Sequence, residues 1–168
     1  MSLHLDAEQI YREFAARLRE HAAQRDIRLV GIVSGGAWIA ERLARDLGVT
    51  APVGALDVSF YRDDFARQGL KASVKPSRVP FEVQGADIVL VDDVLFTGRT
   101  VRAALNELFD YGRPARIELA ALIDRGGREL PIEARVVGRT IELPAEVKIE
   151  LARNDEGCFH LTLEQAGA

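Results

Sequence analysis

The residues best equipped for chemistry lie together at 87–100, DIVLVDDVLFTGRT. Four apolar residues, Ile88 to Val91, lead into adjacent carboxylates, Asp92 and Asp93, and a Thr97-Gly98-Arg99-Thr100 turn precedes a helix-like pattern. Side chains at the carboxyl end of a strand face a ligand lying beyond the sheet, so adjacent carboxylates on an open loop there are acceptors for vicinal hydroxyls. The residues that follow approach a helix N-terminus, where unpaired N–H groups and the macrodipole favour an anion. Gly98 removes a side chain where a phosphate would approach the backbone, and Thr97 and Thr100 add hydroxyl donors. Acceptors for a sugar diol beside an anion cradle describe a site for a ribose 5-phosphate. The competing reading, in which one aspartate only caps the helix and Gly98 only turns the chain, stays open on these residues alone. The turn lacks G-x-x-x-x-G-K-[ST], which argues against an ATP loop, and no G-x-G-x-x-G occurs.

The elements that must position these residues follow from periodicity. Asp6 caps a first helix with Gln9 at the capping-box position, and Ile10, Phe14 and Leu18 fall four apart on one stripe. IRLVGIV at 27–33 reads as a buried strand. SGGAWIAERLARDLG is a glycine turn opening a helix with Ile39, Leu43 and Leu47 on one face, stopped by Gly48. PVGALDVSFY is a second strand. Residues 62–84 hold few aliphatic residues, two prolines and several charges, and read as a long excursion off the sheet. ADIVLV is the third strand; the next helix should bury Val101, Leu105, Leu108 and Phe109 and end at Gly112. RIELAALI at 116–123 is the fourth strand, and the remainder from Asp124 reads as turns and short strands. Strand–helix–strand order with apolar strands predicts an α/β fold, a mainly parallel central sheet flanked by helices. Three loops should converge beyond its carboxyl edge: 34–37, 92–100 and 124–128.

Composition bounds the function. The 168 residues are enough for one domain with a real core, and the net charge of -4 argues against nucleic-acid binding by bulk charge. The single cysteine, Cys158, precludes an intrachain disulfide and suits a reducing cytoplasm. The N-terminus lacks an apolar signal core and no apolar run is long enough to span a bilayer, so no membrane partner is expected. His4, His21 and His160 are scattered without carboxylates at ligand spacing, so no protein metal site is expected. Cys158 reads as a strand residue near the C-terminus, Trp38 as core or dimer-contact surface, and Ser34 lacks the partners of a hydrolase triad.

Several segments together resemble one family. The stretch at 91–100 is similar to the phosphoribosyl-pyrophosphate (PRPP) motif of type I phosphoribosyltransferases. DVSFYRDDF at 57–65, VDDVLFTGRTVRAALNELFDYGRP at 91–114 and DRGGRELPI at 124–132 resemble, in order, the PyrR family of pyrimidine-operon regulators and uracil phosphoribosyltransferases. The resemblance implies the type I phosphoribosyltransferase fold with a small hood: a single domain over 1–168, its core about 27–124, its hood and flexible loop drawn from 62–84 and the C-terminal region. It implies transfer of ribose 5-phosphate from PRPP to uracil, giving UMP and pyrophosphate, with Mg²⁺ arriving bound to PRPP. Asp92 and Asp93 would hold the ribose hydroxyls, while Val94, Leu95, Phe96, Thr97, Gly98, Arg99 and Thr100 wrap the 5-phosphate. Arg62 and Arg125 would line the PRPP and base site, the backbone of Val147 would help recognise the pyrimidine, and Ser34 and Gly35 would leave backbone access for pyrophosphate. Lys71, Lys75 and Arg78 could face pyrophosphate if the 62–84 loop closes. Pyrimidine-operon mRNA and a homodimer or higher oligomer are further implied partners.

The chain departs from the family pattern at three places. VSGGAW has no arginine in the first glycine turn, so charge neutralisation must come from elsewhere. Gly127 stands where many members carry histidine, and ELPAE replaces a PTS-like segment. The first 28 residues hold five arginines against five acids, which gives no cluster of positive charge for RNA. Two rival functions therefore stand beside the uracil enzyme: an RNA-binding regulator with a nucleotide-sensing but weakly catalytic or inactive site, and a transferase for a purine base.

Overall fold

The computed structural model describes residues 3–59 and 77–165. Asp6 caps α1 (Ala7–His21), its carboxylate accepting from the Gln9 amide at 3.1 Å. The reciprocal half of the expected capping box is not made; the Gln9 side chain reaches forward to Glu13 instead. Ile10, Phe14 and Leu18 form the buried stripe as their spacing requires. β1 (Ile27–Ile32), α2 (Gly35–Leu47), β2 (Gly54–Leu56), β3 (Asp87–Leu95), α3 (Arg99–Asp110), β4 (Arg116–Asp124) and β5 (Val136–Thr140) follow, then a hairpin of β6 (Val147–Arg153) and β7 (Phe159–Gln165).

The central sheet has the order β2-β1-β3-β4-β5 with every pair parallel. Its strands are apolar on both sides because both faces are covered. Leu29, Val89 and Val91 share one core with α1 and α2, whereas Val30, Ile88 and Leu90 share the other with Val101, Ala104 and Leu108 of α3. The antiparallel β6–β7 hairpin packs Ile149, Leu151 and Phe159 into the first core. The parallel sheet and its flanking helices are the architecture expected from the sequence.

The structure corrects several details. β3 runs through Leu95, so Asp92 and Asp93 lie inside a strand and not on an open loop; Val94 and Leu95 pair with Ile123 and Asp124 of β4, which extends the ladder. β2 is only three residues long, where ten were expected. After Leu56 the chain leaves the ladder because local side-chain bonds compete with it: Asp57 Oδ1 accepts from Ser59 N and Ser77 Oγ accepts from Asp57 N. Phe109 is 57% exposed, one position past the Val101–Ala104–Leu108 stripe and so rotated toward solvent. Cys158 sits in the turn before β7, where Asn154 Oδ1 accepts the amides of Glu156 and Cys158.

Candidate active site

Three chain segments meet beyond the carboxyl edge of the sheet, and the glycines at the start of α2 allow the closest contact. A Cβ on Gly36 would lie 2.4 Å from the Val91 carbonyl, and one on Gly35 would lie 2.3 Å from Asp93 Oδ2. The first turn of α2 therefore rests directly on β3, and Asp93 occupies the space that Gly35 leaves. The peptide between Val33 and Ser34 is cis. Asp93 Oδ1 accepts from Val94 N at 2.8 Å, and Asp92 Oδ1 from Asp93 N at 2.9 Å. Each aspartate thus accepts a backbone amide from the residue that follows it. Asp92 is buried, only 4% exposed.

Both aspartates line an open cleft of about 350 Å³ with Ser34, Gly35, Val94 and Thr100. The opposite wall is Trp38 of α2 with Ile149, Glu150 and Leu151 of β6. The sequence had placed Trp38 in the core or at a dimer contact. Here it packs partly against the core, forms cleft wall, and carries the Arg153 guanidinium 4.8 Å above its ring. Of β6 only Val147 was named from the sequence; Ile149, Glu150 and Leu151 were missed, although the alternation in VKIEL could have marked a strand, because nothing local says that this strand crosses the mouth of the sheet. Among the described residues the lining offers carboxylates at Asp92, Asp93 and Glu150 and no lysine or arginine.

The loop after β3 is built on the segment 124–132. Leu95 O accepts from Arg125 N at 3.0 Å, and Thr97 O from the amides of Glu129 and Leu130. Between them, Phe96 O accepts from Arg128 Nη1 at 2.8 Å. Gly98 takes the left-handed conformation, φ 93°, against Ile132, where a side chain would be strained. α3 begins at once: its first backbone bond runs from Arg102 N to Gly98 O, and Thr97 Oγ1 accepts from Arg99 N. The amides of Thr100 and Val101 remain at the positive end of the helix. Leu95 points into the core and Arg99 turns away to pair with Glu129, so these two can offer a ligand only backbone.

Arg125 and Val147, far apart in sequence, are in direct contact. Arg125 donates to Val147 O at 2.6 Å and to Pro144 O at 2.9 Å, and its guanidinium lies 4.0 Å over the Phe96 ring. It is 7% exposed, its Nε is without a partner, and burial holds its pKa below the usual arginine value. The Val147 amide donates to Pro144 O, so both backbone groups of Val147 are engaged internally. Arg78 bridges Ala55 beside β2 and is not part of the cleft wall. Arg62, Lys71 and Lys75 lie outside the described residues.

No cluster of three or more His, Cys, Asp or Glu that could hold a metal occurs among the described residues. The oxygen donors of Asp92 and Asp93 suit a hard cation that brings most of its ligands with it, and that donor set fits a magnesium ion carried by a polyphosphate.

The sequence matches the phosphoribosyl transferase domain family over residues 3–153. It is 55% identical over 154 residues to the bifunctional protein PyrR of Pseudomonas aeruginosa strain LESB58, covering 90% of each chain. It is 53% identical to that of Pseudomonas putida strain W619, covering 90% of this chain and 89% of the other. Among solved structures, a hypoxanthine phosphoribosyltransferase from Staphylococcus aureus superposes with a TM-score of 0.64 at 23% identity, over 87% of this chain and 79% of that one, a likeness of fold. A parallel sheet with the strand–loop–helix at 87–110 and this degree of identity leave one assignment: the chain belongs to the PyrR family, within the phosphoribosyl transferase domain family.

Proposed function

We propose that the protein transfers ribose 5-phosphate from PRPP to uracil, forming UMP and pyrophosphate. The observation that carries this reading is the meeting of Ser34, Gly35, Asp92, Asp93 and Thr100 in one cleft of a chain so close to PyrR proteins. The carboxylates of Asp92 and Asp93 accept the ribose hydroxyls. The amides at the start of α3 and in the 96–98 turn receive the 5-phosphate, with the Thr97 and Thr100 hydroxyls beside them. Pyrophosphate lies over the Ser34–Gly35 turn. Bond breaking at the anomeric carbon builds positive charge on the ribosyl ring, which the aspartates face, so positioning and electrostatics supply most of the rate. Mg²⁺, bound with PRPP, would offset the charge of the leaving pyrophosphate. Arg62, Lys71 and Lys75 are the basic residues we assign to the remaining charge. Arg125 supports the base side by fixing the turn that ends at Val147. The hood in this reading comprises the 62–84 segment and the C-terminal hairpin, over a single domain.

We also propose a regulatory role on pyrimidine-operon mRNA, a homodimer or higher oligomer, and a cytoplasmic location. Among the described residues no helix is long and apolar enough to cross a membrane. One observation favours a weaker catalyst that senses nucleotide: three carboxylates line the cleft without a lysine or arginine among the described residues. Pyrophosphate release from PRPP and Mg²⁺, measured with uracil and with a panel of other bases, tests the proposal. Release dependent on uracil supports the enzyme. No release, together with RNA binding stimulated by UMP, supports the sensor; release with a purine base alone overturns both.

A further inference from the structure

We propose that Arg128 is a positioning residue for phosphate binding: it holds the loop after β3 so that a row of backbone N–H groups faces the 5-phosphate. This inference rests on the transferase reading above. Arg128 is spent internally. Its Nε donates to Ile132 O at 2.7 Å, its Nη2 to Asp124 Oδ2 at 2.6 Å, and its Nη1 to Phe96 O at 2.8 Å. A planar guanidinium donates in three fixed directions at once, which an ammonium on a flexible stem cannot reproduce.

The Phe96 bond matters because of its neighbours. Leu95 O, Phe96 O and Thr97 O, three consecutive carbonyls, all accept from the 124–130 segment, through Arg125 N, Arg128 Nη1 and the amides of Glu129 and Leu130. In a trans peptide the C=O and the next N–H point in opposite directions. Three carbonyls held on one side therefore turn the amides of Phe96, Thr97 and Gly98 to the other. None of these three amides donates to another backbone group among the described residues. Past Arg99, whose amide donates to Thr97 Oγ1, they are followed by the amides at the start of α3, so the loop and the helix end together offer donors suited to a phosphate. Two of the three carbonyls are held by backbone amides, which fold formation supplies. The middle one depends on a side chain, and that makes Arg128 the replaceable part of the device. Gly127, against the Phe96 ring, and Ile132, against Gly98, close the same contact from either side.

The test is steady-state kinetics of the full chain with PRPP, Mg²⁺ and uracil, for the parent, Arg128→Met and Arg128→Lys, with thermal unfolding followed in parallel. A misplaced donor row should raise the KM for PRPP by about 10- to 100-fold in Arg128→Met, leave the KM for uracil within about twofold, and be poorly rescued by lysine. A folded Arg128→Met with an unchanged KM for PRPP overturns the proposal. So does a parallel rise in both KM values, because a general brace would loosen both subsites. If Arg128→Met does not fold, Asp124→Asn weakens one of the three anchors and should still shift the KM for PRPP selectively; an unchanged value there overturns it. If the parent shows no transfer to uracil, the functional reading fails separately, and calorimetry with ribose 5-phosphate decides the inference alone. Weaker binding by Arg128→Met than by the parent then supports it; equal binding, or none by the parent, overturns it.

Discussion

Asp93 and Gly35 form a matched pair, one side chain filling the space that another position omits. Two neighbouring substitutions should separate chemistry from folding. Gly35→Ala puts a methyl against the side-chain carboxylate of Asp93, 2.3 Å from Oδ2. The acid can swing aside, so stability should fall by only about 1 kcal/mol, while transfer falls by about 100-fold because a sugar-binding group is misplaced. Gly36→Ala meets the Val91 carbonyl at 2.4 Å, a backbone atom of the central strand. It should cost several times more stability, roughly 3 kcal/mol or above. Urea unfolding and pyrophosphate release on the two proteins check the contrast. Asp93→Ala should likewise weaken PRPP binding, read by calorimetry with Mg²⁺, more than it weakens folding. Arg125 belongs to the opposite category: Arg125→Ala strips two carbonyls of charged donors and leaves the Phe96 ring uncovered. It should destabilise by about 2–4 kcal/mol and impair use of uracil before PRPP, as a kinetic comparison of the two substrates would show.

The hairpin that forms the far wall of the cleft is fastened through α1 and α2. Glu8 of α1 takes a two-pronged contact from Arg42 of α2, at 2.7 and 2.9 Å, and accepts from the Phe159 amide at 2.9 Å. The Arg42 guanidinium also lies 4.0 Å from the Tyr11 ring centroid and 5.1 Å from that of Phe159. Glu8→Ala should therefore raise amide hydrogen exchange in β6 and β7 more than in β3, measured by mass spectrometry. None of this was legible beforehand, since a Glu8–Arg42–Phe159 junction spans 151 positions and has no local periodicity. The strands and helices of the parallel sheet were legible, because apolar runs and four-residue stripes are local signals. The acids, the glycine turn and the three converging loops could also be found. Errors came where strand pairing or side-chain bonds override the local pattern: Val94 and Leu95 pair with β4 and carry β3 past its acids, and side-chain bonds at Asp57 end β2 early. Arg125 and Val147 were named separately, but their mutual bond was not foreseen. Arg128 figured only within the family-like DRGGRELPI stretch, with no role of its own, since an arginine in a charged loop looks solvated until its three acceptors are seen.

Taken whole, the molecule should be most sensitive to acid at its paired carboxylates. The hydrogen bonds from Arg42 hold Glu8 below its ordinary value of 4.5, and those from Arg25 hold Asp87 below 3.8. Both groups bind protons less readily folded than unfolded, so their stabilisation is complete above the unfolded values and is lost as pH falls through the lower, folded ones. Unfolding free energy should thus be level down to about pH 5 and decline below it. Glu8→Gln should flatten part of that decline, as urea midpoints across the acid range would show; an acid limb of unchanged slope would contradict the assignment. Asp87 and Glu118 gather Arg25, His21 and Arg116 at the amino end of the sheet, the end opposite the cleft. Acid weakening of that end is thereby kept apart from the ligand-facing one. Trp38 offers a different use. It is the single tryptophan of the chain, and it sits on the cleft wall under the Arg153 guanidinium. Its emission is therefore a built-in optical gauge of the pocket, free of background from any other indole, so ligand titrations can be followed by intrinsic fluorescence without attaching a dye.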